Sequence, residues 1–233
     1  MGVLDFCTLT GADDGVDPSD LLHLSAKHPF VEWGVLFHNA RQGQGRYPSF
    51  AWIEVLCALI PSLPKAQFAL HICGRDAVHE FLQGTGKVSA MAVQFGRIQL
   101  NLTASNVNPA LLIAAIRRHP SKTIVTQHNA ANESLWRLLS QVRNHAVLFD
   151  ASGGRGISPT SWPSPLPRKL CGYAGGLGPA NLATELPRIQ LAAGKNPFWI
   201  DMEGKLRSES DYFDLSSAQT CLSIVHEVFR HDS

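Results

Sequence analysis

Short apolar runs alternate along this chain with longer stretches whose apolar positions recur every three or four residues, a strand period followed by a helix period. Val3 to Leu9 reads as a strand, and Asp17-Pro18 then supplies an N-cap and a proline at the first helical position for a helix through about Lys27. Phe30 to Phe37 is a second strand, followed by a polar loop, His38 to Tyr47, and a helix over Pro48 to Leu59 that Pro61 and Pro64 close. Gln67 to Cys73 is the third strand, with a helix to about Leu82; Val88 to Phe95 fits a loop or a short strand equally. Ile98 to Leu102 and Thr123 to Gln127 are the fourth and fifth strands. Their helices run from Asn108-Pro109 to Arg118 and from Asn132 to about Val142.

Ala146 to Phe149 is the sixth strand, but Pro159, Pro163, Pro165 and Pro167 leave room for at most one helical turn after it, at Ser158 to Trp162. Lys169 to Tyr173 precedes a helix from Pro179 to about Ala192. Phe198 to Ile200 is the eighth strand and Leu215 to Phe229 the closing helix. Strands apolar on both faces belong to parallel sheets covered on both sides. Eight strand–helix units in 233 residues, close to the ~250 typical of the architecture, predict one α/β domain, a (β/α)8 TIM barrel over 1–233. An open doubly wound sheet is the rival, and it normally uses fewer strands.

Charge alters this picture little. Twenty Lys and Arg stand against 19 Asp and Glu, so composition gives no support to a nucleic-acid or membrane partner. Five cysteines without a repeating spacing argue against a disulfide framework and for a reducing compartment. The chain enters a strand almost at once, shows no secretory pattern and contains no bilayer-length apolar run, so a cytoplasmic protein is expected.

In such barrels chemistry gathers at the C-terminal strand ends. That rule selects Asp5, Cys7, His38, Arg46, His71, Cys73, Asn101, His128, Asn129, Asp150, Asp201 and Glu203. Asp150 is prominent, because a carboxylate ending an apolar strand must be paired or protonated if buried. It could equally cap the turn Ser152-Gly153-Gly154 as Asx side chains do. His38, His71 and His128 lie on three strands with no metal-ligand spacing, so hydrogen-bonded or solvent-facing histidines are expected rather than a metal site. Each cysteine on its own reads as a small buried hydrophobe.

Gly175-Gly176 before the seventh helix and Glu203-Gly204-Lys205 after the eighth strand lie on the two loops where phosphate sites recur in this architecture. Gly154, Arg155 and Lys205 are further candidates to face an anion. A small phosphorylated substrate is the expected ligand.

Several of these segments resemble phosphoribosylanthranilate isomerases. Asp5-Phe6-Cys7-Thr8-Leu9-Thr10 is similar to the family's Lys-Ile-Cys-Gly-Ile-Thr, and Arg46-Tyr47 to its Ser-Pro-Arg-Tyr. Leu148-Phe149-Asp150 with Gly153-Gly154-Arg155-Gly156 resembles Leu-Leu-Asp and Gly-Gly-Thr-Gly. The closest stretch is Ala174-Gly175-Gly176-Leu177-Gly178-Pro179-Ala180-Asn181, against Ala-Gly-Gly-Leu-Asn-Pro-Glu-Asn.

The resemblance implies a cofactor-independent Amadori rearrangement in tryptophan biosynthesis. Cys7 would be the general base, Asp150 the general acid and Arg46 the holder of the anthranilate carboxylate. Asp5 replaces the family's Lys, Asn101 its His, and the loops after the sixth and eighth strands are shorter. With Asp5 two residues before Cys7, on the same strand face, two carboxylates would share the mouth. A lyase or aldolase on another phosphorylated substrate, or a binding barrel without chemistry, are the alternatives.

Overall fold

The structure, a computed structural model, describes residues 2–230. Eight parallel strands close into a barrel in sequence order, β1 (Leu4–Thr10), β2 (Val31–Phe37), β3 (Gln67–Cys73), β4 (Arg97–Asn101), β5 (Thr123–His128), β6 (His145–Phe149), β7 (Cys171–Ala174) and β8 (Phe198–Met202), with β8 pairing back onto β1. The expected TIM barrel is therefore present.

The helices form where caps and apolar stripes coincide. Asp17 accepts the Ser19 N–H at 2.8 Å to start α1 (Pro18–Lys27), and Ser49 Oγ accepts the Trp52 N–H to start α2 (Phe50–Leu59). Two helices rather than one follow β3, namely α3 (Arg75–Gln83) and α4 (Gly86–Ala92), so the segment expected as loop or strand is helical. Its apolar face is narrow, Val88 and Ala92, too few positions to display a period.

Asn108 caps α5 (Pro109–Arg118) by accepting two N–H groups. Helix α6 (Glu133–Leu138) is shorter than expected, although Leu139 and Val142 beyond it are buried and continue the apolar spacing through a turn. No helix lies between β6 and β7, so the strand–helix alternation breaks there, as the prolines require. The chain ends in α7 (Leu182–Ala193) and α8 (Leu215–Arg230). Among the described residues no helix is long and apolar enough to cross a membrane.

Strand parity sorts the side chains. Leu9, Trp33, Leu70, Ile98, Val147, Tyr173 and Ile200 point outward and pack with the helices in the main core. A separate apolar cluster of Val125, Ala146, Leu148 and Trp199, with Phe6, Leu170 and Ala174 against it, fills one side of the barrel interior. Gly172 must be glycine there, since a Cβ would lie 2.1 Å from the Trp199 ring.

The other side of the interior is polar. Arg97 of β4 pairs with Glu32 of β2, donates to Thr8 Oγ1 at 2.9 Å, and lies 4.2 Å from the Phe6 ring centre and 4.6 Å from that of Trp199. Buried charges persist only when paired and hydrogen-bonded in this way. This plug closes the N-terminal end of the barrel and leaves the C-terminal end for a cavity.

Candidate active site

A cavity of about 680 Å³ opens at the C-terminal face and is lined from strand ends and loops around the barrel. That volume suits a small molecule. Of the residues expected at a site, Arg46, Asn101, Asp150, Gly154, Gly175, Gly176, Gly204 and Lys205 all line it.

Cys7 and Asp5 do not. The Cys7 side chain is fully buried in the outer core, near Cys221 of α8, and burial pushes its thiol well above the usual range. Inward positions of β1 are instead Thr8, bonded to Glu32, and Thr10, bonded to Asp201. Because the side-chain period is two, Cys7 between them must face the helices. Asp5 falls at a bulge between Leu4 and Phe6, where the register with β8 shifts, and is exposed near the N-terminal end of β1, so it adds no carboxylate to the mouth.

Asp150, at the end of β6, is buried, and both oxygens are occupied. Oδ1 accepts from Ser152 N–H and Oγ–H at 3.2 and 2.8 Å, and Oδ2 accepts the Gly154 N–H at 2.6 Å. The turn-capping role is realised, and it takes up the Gly154 N–H, which the sequence offered to a ligand.

Asp201 has a stronger chemical signature. It sits on β8 with 6 % exposure, lines the cavity, and accepts the Thr10 hydroxyl at 2.8 Å. Burial pushes its pKa up to about 7; the Thr10 hydrogen bond and Arg97 oppose the rise, and Glu203 and Glu32 add to it. A carboxyl that exchanges its proton near neutrality is suited to acid–base work. The strand-end rule included Asp201 without singling it out. Yet Phe198-Trp199-Ile200-Asp201 carries the same signal as Asp150, a carboxylate at the end of an apolar run.

The mouth's thiol belongs to Cys73 of β3. Asn101 Nδ2 lies 3.0 Å from its sulfur, and burial raises its pKa to about 12, so it is a neutral thiol. The three histidines do not converge. His38 packs edge-on against Tyr47, and His128 against Phe149 beside a second cavity. His71 is buried in the lumen, where burial and then Arg97 lower its pKa to about 3. Among the described residues no cluster of three or more His, Cys, Asp or Glu could hold a metal ion.

Arg46 is engaged by protein carboxylates, 2.6 Å from Glu203 and 3.3 Å from Asp211. Arg41, Arg155 and Lys205 also line the cavity, and none of them pairs with a carboxylate among the described residues.

The glycine turn after β7 is shaped by its neighbours as well. At Gly176, with φ +63°, a Cβ would lie 2.7 Å from the Gly156 carbonyl, so the loop after β6 presses directly on it. Among the described residues the N–H groups of Gly176 and Leu177 donate to no protein acceptor. With Lys205 across the turn, where its Cβ approaches Gly178, these groups could hold an anion.

No protein-family model matches this chain, and no curated protein matches it in sequence. Solved structures do. Phosphoribosyl anthranilate isomerase from Thermotoga maritima is 16 % identical, covers 97 % of this chain and 100 % of its own, and superposes with a TM-score of 0.62. TrpF from Jonesia denitrificans is 13 % identical over 96 % of this chain and 97 % of its own, with a TM-score of 0.64. A phospho-2-dehydro-3-deoxyheptonate aldolase from Thermotoga maritima, 13 % identical, covers 97 % of this chain and 70 % of its own at 0.57. The likeness is one of fold. Aldolases and isomerases alike are built on it.

Proposed function

We propose that this chain is an acid–base enzyme acting on a small phosphorylated substrate, an aldose–ketose isomerase of a phosphorylated sugar. The observation that carries the reading is the shared cavity. Asp201, titrating at about 7, opens into the same space as Lys205 and the N–H groups of the Gly176 turn, which have no protein partner among the described residues. In this reading the turn and Lys205 hold the phosphate, which anchors the sugar across the barrel mouth. No metal or organic cofactor enters the scheme.

Ionised Asp201 takes the proton from the carbon next to the carbonyl. The C–H electron pair becomes the C=C of an enediol while the carbonyl oxygen is protonated from water. Return of the proton from Asp201 to the former carbonyl carbon, with loss of a proton from the other hydroxyl, completes the isomer. Acid and base use is balanced over the cycle. Thr10 fixes the carboxyl's orientation through its hydroxyl, and a positioned base of this kind contributes roughly 10²- to 10⁴-fold in rate.

The narrower form, rearrangement of N-(5'-phosphoribosyl)anthranilate, keeps support from the fold likeness and from Asp150 and Arg46 at the cavity wall. It loses Cys7 as base, and Asp201 takes that role. Complementation of a tryptophan auxotroph lacking this isomerase tests the narrow form; failure by a well-expressed, folded protein rejects it. For the broader form, phosphorylated aldoses and ketoses are incubated with the protein in D2O and followed by proton NMR. Deuterium entering the carbon beside the carbonyl, lost in Asp201→Asn, is the expected result. Carbon–carbon cleavage products would assign a lyase or aldolase instead, and no exchange with any substrate rejects the isomerase.

A further inference from the structure

The cavity floor carries a polar group that nothing among the described residues satisfies. Gln99 of β4 is 4 % exposed and lines the cavity. Its Nε2 lies 3.3 Å from His71 Nδ1 and 3.2 Å from Asn101 Oδ1, so both amide hydrogens are committed. Its Oε1 is buried with no partner among the described residues.

Turning the amide over does not relieve this. The Cys73 thiol donates to the His71 carbonyl at 3.6 Å, so its sulfur accepts from Asn101 Nδ2 at 3.0 Å; that leaves Asn101 Oδ1 facing Gln99, and a flipped Gln99 amide would set two acceptors against each other. Donation from Gln99 Nε2 makes His71 Nδ1 an acceptor, so the imidazole hydrogen sits on Nε2, another buried atom with no partner among the described residues. Native proteins rarely leave such groups unpaired unless a ligand or water completes them.

We propose that Gln99 accepts a hydrogen bond from a substrate hydroxyl. The site then takes a polyhydroxylated ligand inserted hydroxyl end down, its anion at the rim. The surroundings favour this over an aromatic ring. Thr10, His71, Gln99, Asn101 and Asp201 make one side of the inner barrel polar, whereas Leu148 and Ala174 face them from the apolar side. A flat apolar group at the floor would leave Oε1 buried and unpaired, and that is worth about tenfold in affinity. The orientation of the ligand rests on the phosphate reading above; the hydroxyl contact does not.

The test is calorimetric titration of the intact wild type and Gln99→Met with three probes: D-ribose 5-phosphate, D-ribose and inorganic phosphate. Wild type is expected to bind ribose 5-phosphate at least about tenfold more tightly than phosphate. In Gln99→Met that margin should shrink to within about twofold with phosphate affinity unchanged, which also shows that the variant is folded. Binding of ribose that depends on Gln99, without phosphate binding, would keep the floor contact and reject the phosphate seat.

If neither sugar's binding depends on Gln99, the proposal is overturned whatever phosphate does. Should the variant fail to fold, a crystal structure of the wild type with ribose 5-phosphate decides. A sugar hydroxyl on Gln99 Oε1 upholds the contact, and a water there with the sugar elsewhere overturns it.

Discussion

At the scale of single residues the proposed reaction rests on Asp201, whose titration has two consequences with opposite signs. As a base it must be ionised, so the isomerisation rate should climb with pH through about 7 and level above it. Folding runs the other way. The native carboxyl holds its proton up to about 7, whereas the unfolded one loses it near 4. Its stabilising contribution is therefore fully present below pH 4 and lost as pH rises through 7.

Asp201→Asn should consequently lower kcat/KM by about 10²- to 10⁴-fold. The same variant should raise stability at pH 8 by up to about 4 kcal/mol, read by urea unfolding at pH 5 and 8. A rate that is flat from pH 5 to 9 would remove Asp201 from the mechanism. Cys7→Ala should leave kcat/KM within about twofold and cost about 1 kcal/mol of stability, as for a small buried hydrophobe. A thousandfold loss in that variant would return the thiol to the chemistry.

The misplacement of Cys7 has a simple origin. In Asp5-Phe6-Cys7-Thr8-Leu9-Thr10 both parities contain an apolar and a polar residue, so the sequence does not declare which set faces the lumen. The resemblance selected the parity with the thiol; the Glu32 and Asp201 partners of Thr8 and Thr10 select the other.

Elements were more legible than side chains. All eight strands announce themselves as apolar runs, and the prolines after Phe149 exclude a helix by missing donors and steric clash alone. What the pattern could not supply was contact between loops. The glycines after β7 read as a phosphate turn in the sequence, yet Gly176 also answers to the Gly156 carbonyl of another loop. Gly176→Ala must strain a left-handed backbone and push that loop away. It should weaken inorganic phosphate binding at least about tenfold by calorimetry while barely shifting the barrel's circular dichroism. Unchanged phosphate affinity would separate the turn from the anion seat.

Across the whole molecule, ion pairs tie the mouth together from distant parts of the chain. The Arg207 side chain, 3 % exposed, joins Asp13 after β1 at 2.6 Å and the Gly11 carbonyl at 2.8 Å. It also meets Asp211, which reaches Arg46 after β2. Removing Arg207 leaves the buried Asp13 charge with only the Gly15 and Phe213 N–H groups, and Arg207→Ala should cost about 3–5 kcal/mol, measured as lost unfolding free energy in urea.

Neither this network nor the division of the lumen into a polar and an apolar side was legible beforehand. Both depend on which residues meet across a closed barrel, and local period carries no such information. The account's central claim is that one cavity joins an anion seat on the β7 and β8 loops to the Asp201 carboxyl. A crystal structure grown in saturating inorganic phosphate tests it most directly. The anion should lie on the Gly176 and Leu177 N–H groups beside Lys205, with Asp201 facing it across open cavity. Phosphate bound elsewhere, or a seat left empty at saturation, would contradict the account.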